Sequence, residues 1–303
     1  MVLVYLLFWM SYNQGYELGL AVDAPIWTDQ VTEVPHLSTR PVARSVPTSH
    51  SMQCVPKSPS STRFGADRLA RIATMESWHF WFLGRQAIVN QLWSKYLSGC
   101  RDVLDLGCGT GRMSQRLADR GHRVVSLDLR PEGLLAMRAA RSDACLVQAE
   151  APYLPFAPGS FDAVVMLDVL EHVDDRALLR CIASVLRPTG WLILTVPALP
   201  LLWSYRDSAA GHQRRYTRSG LCRLIAEENY ILREIRYYQC LLLPIMLASR
   251  YFGRHGPVLQ DLEERPLPLI NAILASINQF EVRLSEHIAW PWGSSLAAVC
   301  QKR

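Results

Sequence analysis

From residue 68 onward the apolar positions follow two periods in turn. Trp78, Phe82, Ile88, Val89, Leu92 and Tyr96 recur at helical spacing, which predicts a helical stretch over Arg68–Leu97. Short apolar runs then appear at Val103–Leu106, Arg123–Leu127, Ala144–Gln148, Ala163–Leu167 and Trp191–Val196, each the length of a buried strand. Helical patterns over Arg112–Arg120, Glu132–Arg141 and Asp174–Leu186 separate them. Gly121 stops the first of these helices, Pro131 opens the second, and Pro188-Thr189-Gly190 turns the chain into the fifth strand, which Pro197 ends. Such regular alternation predicts an α/β fold with a parallel sheet covered on both faces. A helix over Arg218–Glu228, a strand over Ile231–Tyr238 and a final strand over Trp292–Val299 complete the pattern. Two apolar helical stretches, Leu241–Phe252 and Leu267–Ile288, fall between those strands. Pro244 and Asn271 interrupt them, so neither offers a membrane-spanning length. Packing on the core, a lid, and contact with a membrane surface are all open to them.

The N-terminal part reads differently. MVLVYLLFWM is almost purely hydrophobic, but it lacks a basic flank and a cleavage site, and ten residues cannot cross a bilayer as a helix. Residues 35–63 are rich in Ser, Thr and Pro and hold no acidic residue. A segment of that composition buries too little apolar surface to offset its ordering entropy. Residues 1–63 are therefore expected to be a leader outside the fold, with the domain over 64–303.

Composition narrows the partners. With 303 residues, 50% of them hydrophobic, the chain has ample material for one α/β core with appendages. The net charge of +5 is spread along the chain with no nucleic-acid-binding signature beside it, which argues against a nucleic-acid partner. The eight cysteines form neither a CxxC pair nor a zinc spacing, so free thiols of a reducing cytoplasm and no metal site are expected.

The candidate chemistry sits in Asp102–Gly111, DVLDLGCGTG. A buried strand ends in a turn with three glycines and runs into a helix, whose N-terminus offers free N–H groups to a ligand. A dinucleotide fingerprint needs G-x-G-x-x-G, and Arg112 occupies the third glycine's place. Asp105, two residues before Gly107, repels a pyrophosphate and suits an ammonium group. S-adenosylmethionine (SAM) carries an ammonium and no phosphate. Asp128 ends the second strand 21 residues after Gly107, where a carboxylate can accept both ribose hydroxyls.

These residues resemble motif I and the acidic second strand end of class I SAM-dependent methyltransferases. Further segments are similar to a type-11-like bacterial group: His79, Trp81, Phe82, Gly84 and Arg85 follow an H-W-W-F-x-G-R block with Phe80 in place of one tryptophan, and Gly211–Tyr216 follows G-H-x-R-R-Y. The resemblance implies a Rossmann-like, seven-stranded sheet with the last strand antiparallel and a helical insertion at about 240–290. It implies SAM contacts from Asp105, Gly107, Gly109, Gly111, Asp128, Glu150, Ala151 and Asp168. It also places Glu171 and His172 of Asp168–Val173 (DVLEHV), with His212, Arg214, Arg215 and Tyr216, around a methyl acceptor. Each segment has a plainer reading beside it: the aromatic block as ordinary packing, Glu150 as an exposed loop acid, His172 as a structural histidine, and 211–216 as a basic loop.

The leading expectation is in-line methyl transfer from SAM to an oxygen, ahead of a nitrogen or carbon, of a small-molecule acceptor with apolar, aromatic or lipid-linked character, with His172 and His212 as candidate bases. The alternatives are a SAM-binding protein without turnover that serves a protein partner, and a nicotinamide-dependent oxidoreductase, which the missing third glycine opposes. A chain beginning at Phe64 is expected to keep the melting temperature and SAM affinity of the full-length protein. Aggregation or loss of binding on truncation would show that residues 1–63 belong to the fold.

Overall fold

The computed structural model describes residues 62–252 and 265–303; the expected leader lies outside them except for its last two residues, which open the first helix. Strand β1 (Asp102–Leu106) is buried at every position. It is flanked by β2 (Arg123–Asp128) and β4 (Phe161–Leu167), each paired parallel to it. With β3 (Cys145–Gln148), β5 (Leu186–Pro197), β6 (Tyr230–Tyr238) and β7 (Ser295–Lys302) the sheet order is β3-β2-β1-β4-β5-β7-β6. Strand β7 runs antiparallel to both of its neighbours. This is the class I methyltransferase sheet that the resemblance implied.

The helices are α1 (Thr62–Met75), α2 (Phe80–Tyr96), α3 (Arg112–Asp119), α4 (Pro131–Ala140), α5 (Asp175–Val185), α6 (Tyr205–Ala210), α7 (Arg218–Glu227), α8 (Leu243–Phe252) and α9 (Pro268–Leu284). Period-two alternation divides the strands between two cores. Val103, Ala163, Val165, Ile193 and Val299 lie beneath Ile88, Val89, Leu92 and Trp93 of α2, Leu117 of α3 and Val282 of α9. Leu104, Leu106, Val164, Met166, Leu192 and Leu194 face Leu178, Leu179 and Ile182 of α5 and Leu221, Leu224 and Ile225 of α7. The seven cysteines among the described residues are free.

The structure departs from the sequence pattern in several places. The helical stretch expected over Arg68–Leu97 is two helices. His79 is extended (φ −68°, ψ 131°) and its side chain accepts the Trp81 N–H, capping α2. The turn expected at Pro188–Gly190 lies within β5, where residues 187–190 are the irregularity between the pairings Phe161–Leu186 and Ala163–Trp191. The last strand starts at Ser295 and extends to Lys302, the residues that pair with β5 and β6; ahead of it Gly293 is pressed against Tyr238, where a Cβ would lie 2.5 Å from the Tyr238 carbonyl oxygen. Helix α6 was not foreseen at all, being too short for a hydrophobic period to show.

Asn271 does not interrupt α9 either. It is 7% exposed and acts as a fastener: Asn271 Oδ1 accepts the Phe80 N–H (2.8 Å) and Asn271 Nδ2 donates to the Trp78 carbonyl (2.6 Å). Asn278 Nδ2 donates to the Phe80 carbonyl (3.0 Å), and Glu281 Oε2 accepts the Cys240 and Leu241 N–H groups (2.7 and 2.8 Å). Polar contacts thus tie α9 to the aromatic block and to the end of β6. Among the described residues no helix is long and apolar enough to cross a membrane.

Asn271→Leu would leave two backbone groups without partners, at about 1–3 kcal/mol each. The expected result is a melting temperature roughly 5–15 °C lower. An unchanged melting temperature would show that these bonds do not hold α9 in place.

Candidate functional site

Beyond Leu106 the chain turns through Gly107, Gly109 and Gly111 at φ 72°, 54° and 80°, values that strain residues with a side chain. The three glycines serve different ends. A Cβ on Gly107 would lie 2.4 Å from Val169 Cγ2, and one on Gly111 would lie 2.2 Å from Met137 Sδ, so both are set by neighbouring protein. At Gly109 nothing comes nearer than Leu69 Cδ1 at 3.9 Å. Gly109 presents bare backbone to a cavity of about 1130 Å³.

At the floor of that end lie two carboxylates. Asp128 Oδ2 accepts the Gly109 N–H (2.8 Å) and Oδ1 accepts the Arg130 N–H (2.9 Å), which leaves a lone pair on each oxygen for a ligand hydroxyl. Asp105 is 2% exposed and accepts the Ser114 hydroxyl (2.5 Å), itself held by Ser126 (2.7 Å). Burial pushes the Asp105 carboxyl up to about 6; the Ser114 bond opposes this and the Asp128 charge adds to it. A buried carboxylate in an open cavity fits a ligand that brings a positive charge. Glu150 and Ala151 stand at the rim, Glu150 exposed.

Glu76, His79–Phe82 and Arg85 cover the middle of the cavity. Arg85 Nη1 donates to Asp168 Oδ2 (2.7 Å), its Nη2 lies 3.5 Å from Glu76 Oε1, and the guanidinium sits over the Trp81 and Phe82 rings (4.9 and 5.2 Å). Thr110, in the glycine turn, donates to Glu76. Asp168 adopts a left-handed conformation (φ 55°), and its other oxygen accepts the Thr195 hydroxyl (3.0 Å). Both Asp168 oxygens are therefore engaged by protein. The aromatic block packs and covers at once: Phe80 is buried against Leu242 and Ala275, while Phe80, Trp81 and Phe82 also line the cavity.

Glu171, His172 and His212 meet at the far end, with donor atoms within 4.8 Å of one another. The Glu171 side chain has no exposed surface, and neither of its carboxylate oxygens has a hydrogen-bond partner among the described residues. Burial, and then the nearby Asp168 charge, hold its carboxyl well above the usual carboxylate range. His212 Nε2 lies 3.8 Å from Glu171 Oε1, and the His172 and His212 rings meet edge to face at 4.9 Å. His172 Nδ1 donates to the Gly211 carbonyl (3.1 Å).

Arg215 reaches the cavity wall, but Arg214 and Tyr216 correct the expectation that all three line it. Arg214 Nη1 pairs with Asp175 (2.8 Å), and the buried Tyr216 hydroxyl donates to Asp175 (3.1 Å) at the start of α5. Alternate residues of this extended segment point opposite ways, so the run 214–216 cannot place every side chain in one cavity. Two acids of the cavity, Glu76 and Asp207, went unread in the sequence, as did the ion pairs of Arg85 and the Thr110 bond to Glu76. Only Asp207 left a signal there, an acid five residues before His212 and eight before Arg215.

The fold pays a penalty for the Asp105 charge. Its folded pKa lies above the ordinary carboxylate value of about 3.9, so ionisation destabilises the fold as pH rises between the two. At pH 7.5 Asp105→Asn should stabilise the protein by on the order of 2–3 kcal/mol, and the gain should vanish near pH 4. Melting curves from pH 4 to 8 test this; a gain that does not depend on pH would exclude the charge as its cause.

The comparisons with known proteins agree with this geometry. Residues 104–194 match a family described as a methyltransferase domain. An uncharacterized methyltransferase of Mycobacterium tuberculosis is 37% identical over 117 residues, 39% of this chain and 45% of that protein. A ubiquinone biosynthesis O-methyltransferase of Xanthomonas campestris is 40% identical over 105 residues, 33% of this chain and 44% of that protein. The chain thus spans less than half the length of these curated relatives. Among solved structures, a methyltransferase in complex with the Trm112 methyltransferase activator of Haloferax volcanii superposes with a TM-score of 0.53 at 18% identity, covering 78% of this chain and 97% of that one. The matched segment carries the glycine turn, Asp128 and Asp168–His172, and the cofactor it points to is S-adenosylmethionine.

Proposed function

We propose that the protein, through a domain over 64–303, is a SAM-dependent methyltransferase that methylates an oxygen of a small, largely apolar acceptor. The observation that carries this reading is one cavity with two unlike ends: backbone of Gly109 with Asp105 and Asp128 at one, and Glu171, His172 and His212 at the other. Its volume, about 1130 Å³, exceeds the usual ligand pocket of roughly 300–1,000 Å³ and leaves room for a cofactor and an acceptor together. Phe80, Trp81, Phe82 and Met246 line it, which supports an aromatic or lipid-linked acceptor. The relative named for ubiquinone biosynthesis supports oxygen as the methylated atom.

The residues present fit SAM: Asp128 for the ribose hydroxyls, Gly109 backbone for close approach, and buried Asp105 near its ammonium end. SAM, when bound, supplies a methyl group activated by a sulfonium. The chain's own task is then to align the acceptor and remove its proton. His212 lines the cavity with Nε2 3.8 Å from Glu171 Oε1, which supports it as the group that takes that proton. The aromatic block and Arg85 close the middle against water.

Two variants separate the ends. Asp128→Ala removes acceptors worth on the order of 1.5–3 kcal/mol each and should weaken SAM binding by about tenfold or more in calorimetry. His212→Ala should leave SAM affinity within about twofold while lowering turnover roughly 10²-fold or more. Unaltered SAM binding by Asp128→Ala would end the cofactor assignment. SAM binding with no methyl transfer to any component of a cell extract would favour a binding protein that serves a partner.

A further inference from the structure

Asp207 is buried, with 1% of its surface exposed, and every side of its carboxylate is occupied. Oδ2 accepts the Ser204 N–H (2.9 Å) and hydroxyl (3.3 Å). Oδ1 accepts Arg215 Nε (2.8 Å) and lies 2.9 Å from His212 Nδ1. A second bond, from the His212 N–H to the Asp207 carbonyl (2.9 Å), fixes the histidine's backbone to the same residue. Burial works against the Asp207 charge, yet the hydrogen bond from His212 and the charge of Arg215 hold the carboxyl well below its usual range. Arg215 is itself fixed by donating Nη1 to the Ala198 carbonyl (2.9 Å) at the end of β5.

An ionised carboxylate only accepts, so the hydrogen on the His212–Asp207 bond belongs to Nδ1. In the neutral ring Nε2 is then bare; it is the atom that lies 3.8 Å from Glu171 Oε1, in a histidine that lines the cavity. We infer that Asp207, held by Arg215 and by the backbone N–H of residue 204, is a positioning residue that keeps His212 as the Nδ1–H tautomer with Nε2 aimed at the acceptor. The inference rests on the transferase reading and adds to it the group that orients the base. In the step it serves, the acceptor oxygen bonds to the methyl carbon as the carbon–sulfur bond breaks, with that pair passing to sulfur. The hydroxyl proton passes to His212 Nε2, and the electron pair of the O–H bond stays on oxygen. The imidazolium so formed lies against Asp207 on one side and faces Glu171 on the other.

The same contacts also cap α6, since Asp207 and Ser204 form a reciprocal capping box, so a purely structural role must be told apart. The test compares wild type, Asp207→Asn and Ser204→Ala in the full chain. It uses SAM labelled in the methyl group, with the organic-soluble extract of cells as the acceptor pool. Nitrogen-15 NMR of labelled histidine, read at pH 8 without SAM, supplies the tautomer. Wild type should show His212 protonated at Nδ1 and bare at Nε2. Asp207→Asn can turn its amide N–H toward Nδ1, so the Nε2–H tautomer should gain, with turnover falling about 10²-fold and SAM affinity within twofold. Ser204→Ala should lower the melting temperature by a few degrees and keep both turnover and tautomer. Turnover within about threefold of wild type in Asp207→Asn overturns the inference, as does a wild-type His212 protonated at Nε2. Equal loss of turnover in Ser204→Ala at a temperature where it is folded overturns it too, because the cap alone would then matter. Loss of turnover in chelator with recovery on adding a divalent cation would make the Glu171–His172–His212 cluster a cation site and equally overturn it. The NMR readout needs no turnover, so failure of the transferase reading is seen separately.

Discussion

The parallel pairing of β1 with β4, from Val103–Ala163 to Leu106–Met166, is the constraint on which the site depends. Strand order reverses between these two strands, so the loops that leave their carboxyl ends diverge and open a crevice. The glycine turn leaves one side of it and Asp168–His172 leaves the other. Val169 seals the junction by packing where a side chain on Gly107 would stand. Displacing either strand end would therefore move the cofactor end and the acceptor end together.

What closes over this crevice is held by polar contacts rather than by apolar packing alone. The aromatic block reaches the cavity because α9, distant in sequence, accepts and donates at its backbone through Asn271 and Asn278. Gly84 is part of that fit, since a Cβ there would lie 2.7 Å from Asn278 Nδ2. Arg85 then joins the block to the floor through Glu76 and Asp168. Buried polar groups tolerate few alternative arrangements, because each unmade bond is expensive. The cover is accordingly specified in position as well as in composition.

Three buried carboxyl groups in one cavity have three different environments. Asp207 has donors on both oxygens and is held well below its usual range, Asp105 is bonded by Ser114 and is pushed up to about 6, and Glu171, whose carboxylate oxygens have no hydrogen-bond partner among the described residues, is held well above its usual range. Burial raises the carboxyl at all three, and only at Asp207 do the surrounding hydrogen bonds and charges outweigh it. This matches the division of the cavity: a fixed anion behind the histidine, and two carboxyls whose charge burial disfavours, Asp105 at the cofactor end and Glu171 at the acceptor end.

The antiparallel place of the last strand was implied by the family resemblance; the sequence by itself determined the strand–helix alternation, the glycine turn and Asp128. Those features rest on local causes: apolar period, backbone freedom at glycine, and a motif whose residues are neighbours in the chain. The family resemblance carried Glu171, His172 and His212 as candidates, but local pattern had its limit. It could not say that Arg214 and Tyr216 turn to Asp175 while Arg215 turns to Asp207, since a run of consecutive residues has no inside until its neighbours are placed. Nor could it show that the helical stretch over 68–97 breaks at His79, because the partner that takes the backbone there is Asn271, 191 positions from the Phe80 N–H it accepts. Tertiary structure decided where buried polar groups find partners, and through that choice which acids keep their charge.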